Sequence, residues 1–273
     1  EGTITVHSKY YQDSVQALRD TFTRLNIIMD GIACIRIADP EVKRILVSIF
    51  DADKNGEINE DEVDGITRIG RYNFSGNTLI KSFDEMNKFT NLVNIEIGSF
   101  MNCTSLESIS FPDHLTSFGQ QVCNACTSLK KVHLPNSLTH LGGGCFNNCS
   151  SLREITIPEG VTVLDSFANT ALEEIKIPNA TTSIKGFAGC IYLKKVDIGT
   201  GVTEFKQSAF QNCDALEVFI MRAVTPPSYA GWTLPDGFSG TIYVPDASVN
   251  AYKTASGWSG RASKIKPLSE YNG

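Results

Sequence analysis

Leucine returns along this chain at nearly constant intervals. Leu106, Leu129, Leu152, Leu172, Leu193 and Leu216 are 20 to 23 residues apart, and Leu92 precedes the first of them by 14. A period in that range specifies a solenoid. Each unit is one coil too small to bury its own apolar face, so it must stack on its neighbours. Stacked coils offer a long, regular, pre-formed surface and seldom a catalytic cleft.

With leucine as position zero, apolar residues recur at +3 and +5: Ile95/Ile97, Ile109/Phe111, Val132/Leu134, Ile155/Ile157, Ile175/Ile177, Val196/Ile198 and Phe219/Met221. Alternation of that kind predicts a short β-strand with one face buried. Pro112, Pro135, Pro158 and Pro178 follow at once, with Gly199 in the same place. Proline lacks the N–H that a ladder needs, so it ends the strand and turns the coil. A second apolar pair lies at +9 and +12, as in Leu138/Leu141 and Val161/Leu164, and Thr181/Ile184 is its weakest copy. Phe100, Phe146, Phe167, Phe187 and Phe210 each precede the next leucine by five or six residues. Three apolar edges per coil predict short parallel strands stacked in register, about 4.8 Å apart.

The eight cysteines mostly obey the same period. Cys103, Cys126, Cys149, Cys190 and Cys213 lie three residues before a repeat leucine, and Asn169 holds that offset in the one short repeat. One structural position reused by cysteine is expected to be a ladder of small buried side chains. Asn102, Asn148 and Asn212 stand just before it, suited to hydrogen-bonding a tight corner. Cys123 and Cys126 form an isolated C-x2-C in which Cys123 replaces a phenylalanine, and no second pair completes a zinc site.

The run Phe146-Asn147-Asn148-Cys149-Ser150-Ser151-Leu152-Arg153-Glu154-Ile155-Thr156-Ile157-Pro158, followed by Gly160-Val161-Thr162-Val163-Leu164, closely resembles the BspA-like leucine-rich repeats of bacterial surface proteins. The resemblance spans residues 92–221. The segments Thr225-Pro226-Pro227, Ile242-Tyr243-Val244-Pro245, Ala251-Tyr252-Lys253 and Gly257-Trp258 look like the closing segment of such proteins. It implies an α/β repeat fold, a right-handed leucine-rich repeat solenoid with short parallel strands. It also implies an extracytoplasmic, non-enzymatic protein, secreted or anchored at the outer surface of a bacterial cell, that binds host or microbial macromolecules.

A different pattern occupies the N-terminal third. Asp51, Asp53 and Asn55 stand at positions 1, 3 and 5 of a twelve-residue loop, Gly56 at 6, Glu57 at 7, Asn59 at 9 and Glu62 at 12. This is the EF-hand spacing for calcium, a hard cation that takes six to eight oxygens. Side chains serve at 1, 3 and 5, a main-chain carbonyl at 7, a water-mediated contact at 9 and a bidentate carboxylate at 12. Asp39-Pro40-Glu41 reads as a helix start, and Val42, Ile45, Leu46, Ile49 and Phe50 form one apolar stripe. Val63 and Ile66 begin a shorter helix that Gly65 weakens. Only one loop is present, which favours a structural calcium ion over a sensor. Residues 1–38 read less clearly: Ile4 and Val6 alternate like a strand, and Val15, Leu18, Phe22 and Leu25 like a helix.

The expected organisation is an N-terminal segment over 1–38, a helix–loop–helix cap over 39–75, the solenoid over 76–222 and an irregular C-terminal cap over 223–273. A net charge of −6 with scattered lysines and arginines argues against nucleic acid. No apolar run reaches membrane-spanning length. The chain starts at Glu1 without methionine, which fits removal of a signal or lipoprotein leader and fits an internal fragment equally. Cys34 sits in the apolar run Ile32–Ile35, as a packing residue rather than a nucleophile. The outward strand positions carry alternating charge, which suits either a solubilising face or a polar recognition surface. Candidate ligand residues there are Lys130, Lys131, His133, Arg153, Lys194 and Lys195. Tyr229 and Trp232, with Tyr243, Tyr252 and Trp258, form a second candidate, an aromatic patch for a glycan. The function these readings favour is adhesin-like binding of an extracellular protein or glycan. The alternative is a structural or assembly component of the envelope with no free ligand.

Overall fold

The computed structural model describes residues 28–29, 32–229 and 234–273. The strand and helix expected within residues 1–27, and Trp232, lie outside them. The strands, in chain order, are β1 (Ile28–Met29), β2 (Ile32–Ala33), β3 (Arg68–Ile69), β4 (Ser82–Phe83), β5 (Asn94–Ile95), β6 (Ser108–Ser110), β7 (Lys131–His133), β8 (Val163–Asp165), β9 (Glu174–Ile177), β10 (Ser183–Lys185), β11 (Lys195–Ile198), β12 (Glu204–Phe205), β13 (Val218–Met221), β14 (Ser228–Tyr229), β15 (Thr241–Val244) and β16 (Ile265–Pro267). β1 and β2 pair antiparallel, and every other strand pairing is parallel.

The parallel strands build a solenoid of about nine turns. One face carries β4-β6-β7 and then β9-β11-β13-β15-β16. A second face carries β3-β5 and then β8-β10-β12-β14. Pairing is in register at the expected apolar position: Ile175 opposes Val196, which opposes Phe219, which opposes Ile242. The ladder continues beyond Met221, because β15 and β16 add two further rungs.

One register differs from the sequence reading. Ile95 pairs with Ile69 and bridges to Phe118, so Leu92 and Ile95 belong to the second face. The strand opposite β6 is β4, with Phe83 against Ile109. Leu92 is thus the counterpart of Leu115 and Leu138, each of which also stands 14 residues before the next repeat leucine, and a 3-10 turn over Asp84–Lys88 lengthens the stretch between β4 and Leu92.

The corners explain the remaining pattern. Phenylalanines stack between coils: Phe74 on Phe100 with centroids 4.8 Å apart, and Phe146, Phe167, Phe187 and Phe210 in one column at 5.8, 5.4 and 5.2 Å. Asn102, Asn148, Asn169 and Asn212 adopt φ of 58 to 62°, the left-handed turn that asparagine tolerates. The ladder cysteines are buried, and each thiol donates to a carbonyl at the same corner of the preceding coil: Cys126 to Phe100, Cys190 to Phe167 and Cys213 to Phe187, all at 3.1 Å. In the short repeat Thr170, rather than Asn169, takes the cysteine place, its hydroxyl donating to Phe167 at 2.9 Å. Where coils approach closely, a Cβ on Gly142 would sit 2.2 Å from the Gly119 carbonyl oxygen, so only glycine fits.

Candidate functional site

The acidic loop joins the helix Pro40–Phe50 to the short helix Glu60–Asp64. Asp39 caps the first helix, accepting from the amides of Glu41 at 2.9 Å and Val42 at 3.2 Å. Its second oxygen accepts from Lys81 at 2.7 Å and Ser82 at 3.2 Å, which ties the helix to β4. Asn59 caps the second helix in a capping box with Glu62.

Between the helices the loop turns its acids inward. Asp51, Asp53 and Glu62 bring one carboxylate oxygen each within 4.8 Å of one another. Asp51 accepts from the amides of Asn55 and Gly56, Asn55 accepts from the amide of Glu57 at 2.7 Å, and Glu62 accepts from Ala52 at 2.8 Å and Asn59 at 3.0 Å. Gly56 has φ of 80° with open space where a Cβ would be, so backbone conformation rather than crowding demands glycine. Glu57 turns its side chain to Lys43, which leaves its main-chain carbonyl as the group it can offer the loop. Asn59 reaches Asp53 through its amide nitrogen at 3.4 Å. Burial, and then the neighbouring Asp51 and Glu62 carboxylates, hold the Asp53 carboxyl above the ordinary aspartate range. Among the described residues no lysine or arginine pairs with Asp51, Asp53 or Glu62. Three converging carboxylates without a cationic partner among the described residues are a donor set that fits a hard divalent cation.

The strand face is the second candidate, and neighbouring coils already neutralise much of its charge. Lys130 pairs with Glu107 at 2.9 Å, His133 with Asp113 at 2.9 Å, Arg153 with Glu173, Lys195 with Glu174 at 3.3 Å, and Arg222 with Asp197 at 2.6 Å. Lys131 and Lys194 have no ion-pair partner among the described residues. Tyr271, from the C-terminal tail, packs on Tyr243 at 5.0 Å and lies beneath the Lys195 ammonium. Sequence reasoning had no signal for that contact, because the tail falls outside the repeat. A groove of about 620 Å³ runs over this face and brings Lys130, Lys131 and His133 together with Glu154, Ile155 and Thr156.

The aromatic candidates are mostly interior. Trp258 and Tyr252 are buried, donating to the carbonyls of Pro227 at 2.9 Å and Ala223 at 2.8 Å. Tyr229 is half-buried, with its ring against Trp258 and its hydroxyl accepting from Leu234. Burial raises the Cys145 thiol to about 12 and lifts Cys123 and Cys149 as well, so these thiols stay protonated. No helix among the described residues is long and apolar enough to cross a membrane.

A family model described as BspA type leucine-rich repeat region matches residues 48–166 and 165–226, in six copies. Solved structures similar to this chain include a leucine-rich repeat protein of T. pallidum, at 23% identity over 67% of this chain and 78% of that one, TM-score 0.44. Others are a leucine-rich repeat protein of Bacteroides ovatus (19%, 75% and 76%, TM-score 0.36) and a leucine-rich cell surface protein of Faecalibacterium prausnitzii (17%, 77% and 78%, TM-score 0.31). No curated protein matches the chain in sequence.

Proposed function

The chain belongs to the BspA-type leucine-rich repeat family, and from that premise we propose that it is a non-enzymatic, adhesin-like module that binds an extracellular protein or glycan at the outside of a bacterial cell. The observation that carries this reading is the strand face itself. Its outward side chains are held in fixed register by an apolar ladder that needs nothing from them, so they are free to be selected for recognition. In this reading the solenoid winds right-handed and the helix–loop–helix over 39–75 closes its first coil. Lys131 and Lys194 are the face's available cations. Glycan and extracellular-matrix arrays probed with the purified chain test the proposal. Reversing Lys130, Lys131 and Lys194 together is expected to abolish the array signal at an unchanged melting temperature, because exposed charges contribute little to stability. Silent arrays, with strong self-association in sedimentation, would instead favour an envelope assembly component.

The acidic loop belongs to the same proposal as a structural calcium site. Asp51, Asp53, Asn55 and Glu62 would supply side-chain oxygens, Glu57 its carbonyl, and Asn59 a water-mediated contact. The support is the convergence of uncompensated carboxylates described above. Extracellular calcium would saturate even a site in the ~10⁻⁴ to 10⁻³ M range. Titration calorimetry that gives no heat with calcium would remove this part of the proposal and leave the binding role standing.

A further inference from the structure

The strand-face ladder is broken once. β4-β6-β7 form one block and β9-β11-β13-β15-β16 another, and residues 154–156 between them pair with neither. Coil-to-coil bonds such as Lys130 N–H to the Glu107 carbonyl at 2.9 Å and Lys194 N–H to the Glu173 carbonyl at 2.8 Å recur on both sides. At the break, among the described residues, no hydrogen bond holds the amides of Arg153, Glu154, Ile155 or Thr156. The opening is partial, since the Glu173 N–H still donates to the Arg153 carbonyl at 3.2 Å. The corner bonds across the same two coils persist, with Phe146 N–H to Ser166 O at 2.9 Å and Asn148 N–H to Ala168 O at 2.7 Å. The break coincides with the step from a coil of 23 residues (Leu129 to Leu152) to one of 20 (Leu152 to Leu172).

The break also changes the core. Val132 and Ile155 are only half-buried, whereas Ile109, Ile175 and Val196 at the same position of other coils are buried. The groove of about 620 Å³ lies along the β7 side of this seam, lined by residues of β6, β7 and 154–156 and by none of β9. On one lip Lys131 has no ion-pair partner, and on the other Glu154 has none, among the described residues.

We propose that this seam is the recognition site of the strand face and that its occupant is an extended polypeptide segment of a partner protein; this rests on the binding role proposed above. The chemistry selects a polypeptide. Successive amides of an extended chain point to opposite sides, so those free on one side call for carbonyls repeating every second residue, about 6.6 Å apart. The half-buried valine and isoleucine call for a small apolar side chain. The opposed lone charges call for an acidic residue facing Lys131 and a basic one facing Glu154. A sugar would instead be served by an aromatic platform, and no Phe, Tyr or Trp lines the groove.

The test is selection of a displayed library of random twelve-residue peptides on the full chain, with the enriched peptide then synthesised. Lys131→Glu and Glu154→Lys are each expected to weaken that peptide at least tenfold at unchanged melting temperature, and its binding is expected to slow amide exchange at residues 153–156. Equal affinity for both variants, or no slowing at those amides, overturns the seam and leaves the binding role intact. A positive glycan array with no enriched peptide does the same. Failure of the peptide selection and of both arrays overturns the binding role as well.

Discussion

The acidic loop and the solenoid beside it are ordered by opposite means. From Leu172 to Met221 order comes from repetition: each phenylalanine stacks on the next, and each ladder thiol finds a carbonyl in the preceding coil. That order is intrinsic to the chain. Between Asp51 and Glu62 order comes from carboxylates accepting amides, which draws like charges together. No lysine or arginine among the described residues offsets those charges, and in the proposed reading a cation does. The difference separates two tasks: the coils form a surface without help, and the loop is conditional.

The largest effect should come from breaking the unconditional half. Phe187 contacts Phe167 and Phe210 in one column. Phe187→Ala is expected to destabilise the protein by about 3–5 kcal/mol, read from denaturant unfolding. Next comes the conditional half. If calcium binds, raising it to a hundredfold excess over Kd should stabilise the folded chain by about 2.7 kcal/mol, and Glu62→Gln should remove most of that gain in a thermal melt with and without chelator. Asp39 spans both halves, because its buried carboxylate caps the helix and β4 together. Asp39→Ala should cost about 2 kcal/mol from the lost cap and hydrogen bonds, and should blunt the calcium response, since it loosens the loop's anchoring to the first coil.

Cys149→Ser should have the smallest effect. Considered as a purely apolar ladder, the cysteines would make serine costly. Their thiols donate to carbonyls, however, as Cys149 does to Cys123 at 3.2 Å, and Thr170 already places a hydroxyl in the equivalent spot. The change should cost under about 1 kcal/mol, and a loss of several kcal/mol in unfolding experiments would restore the apolar view.

Much of the fold was legible because the period and the strand alternation are set by burial, which one sequence records directly. Ile109, Val132, Ile175 and Val196 lie where the +3 position places them. What escaped is what breaks period. Leu92 belongs to the other face with Leu115 and Leu138, and its own coil opens on Ile80 rather than on a leucine. β15 and β16 were missed because no leucine introduces them, although Ile242-Tyr243-Val244-Pro245 repeats the form of Ile155-Thr156-Ile157-Pro158 and Phe219, Ile242 and Ile265 keep a spacing of 23. A row of threonines at +10 was also readable. Thr139, Thr182 and Thr203 each donate a hydroxyl to the threonine carbonyl of the preceding coil. At the candidate sites the acidic loop was fully spelled out by residue type. The seam was not, because Ile155-Thr156-Ile157-Pro158 carries the same pattern as the coils that do pair.

Hydrogen exchange of the intact chain, followed by mass spectrometry with calcium and with chelator, tests the division most directly. The account predicts that calcium slows exchange across 40–62 and the adjoining first coil and leaves residues 172–221 as they were. No change at 51–62, or a change spread evenly through the coils, would contradict it.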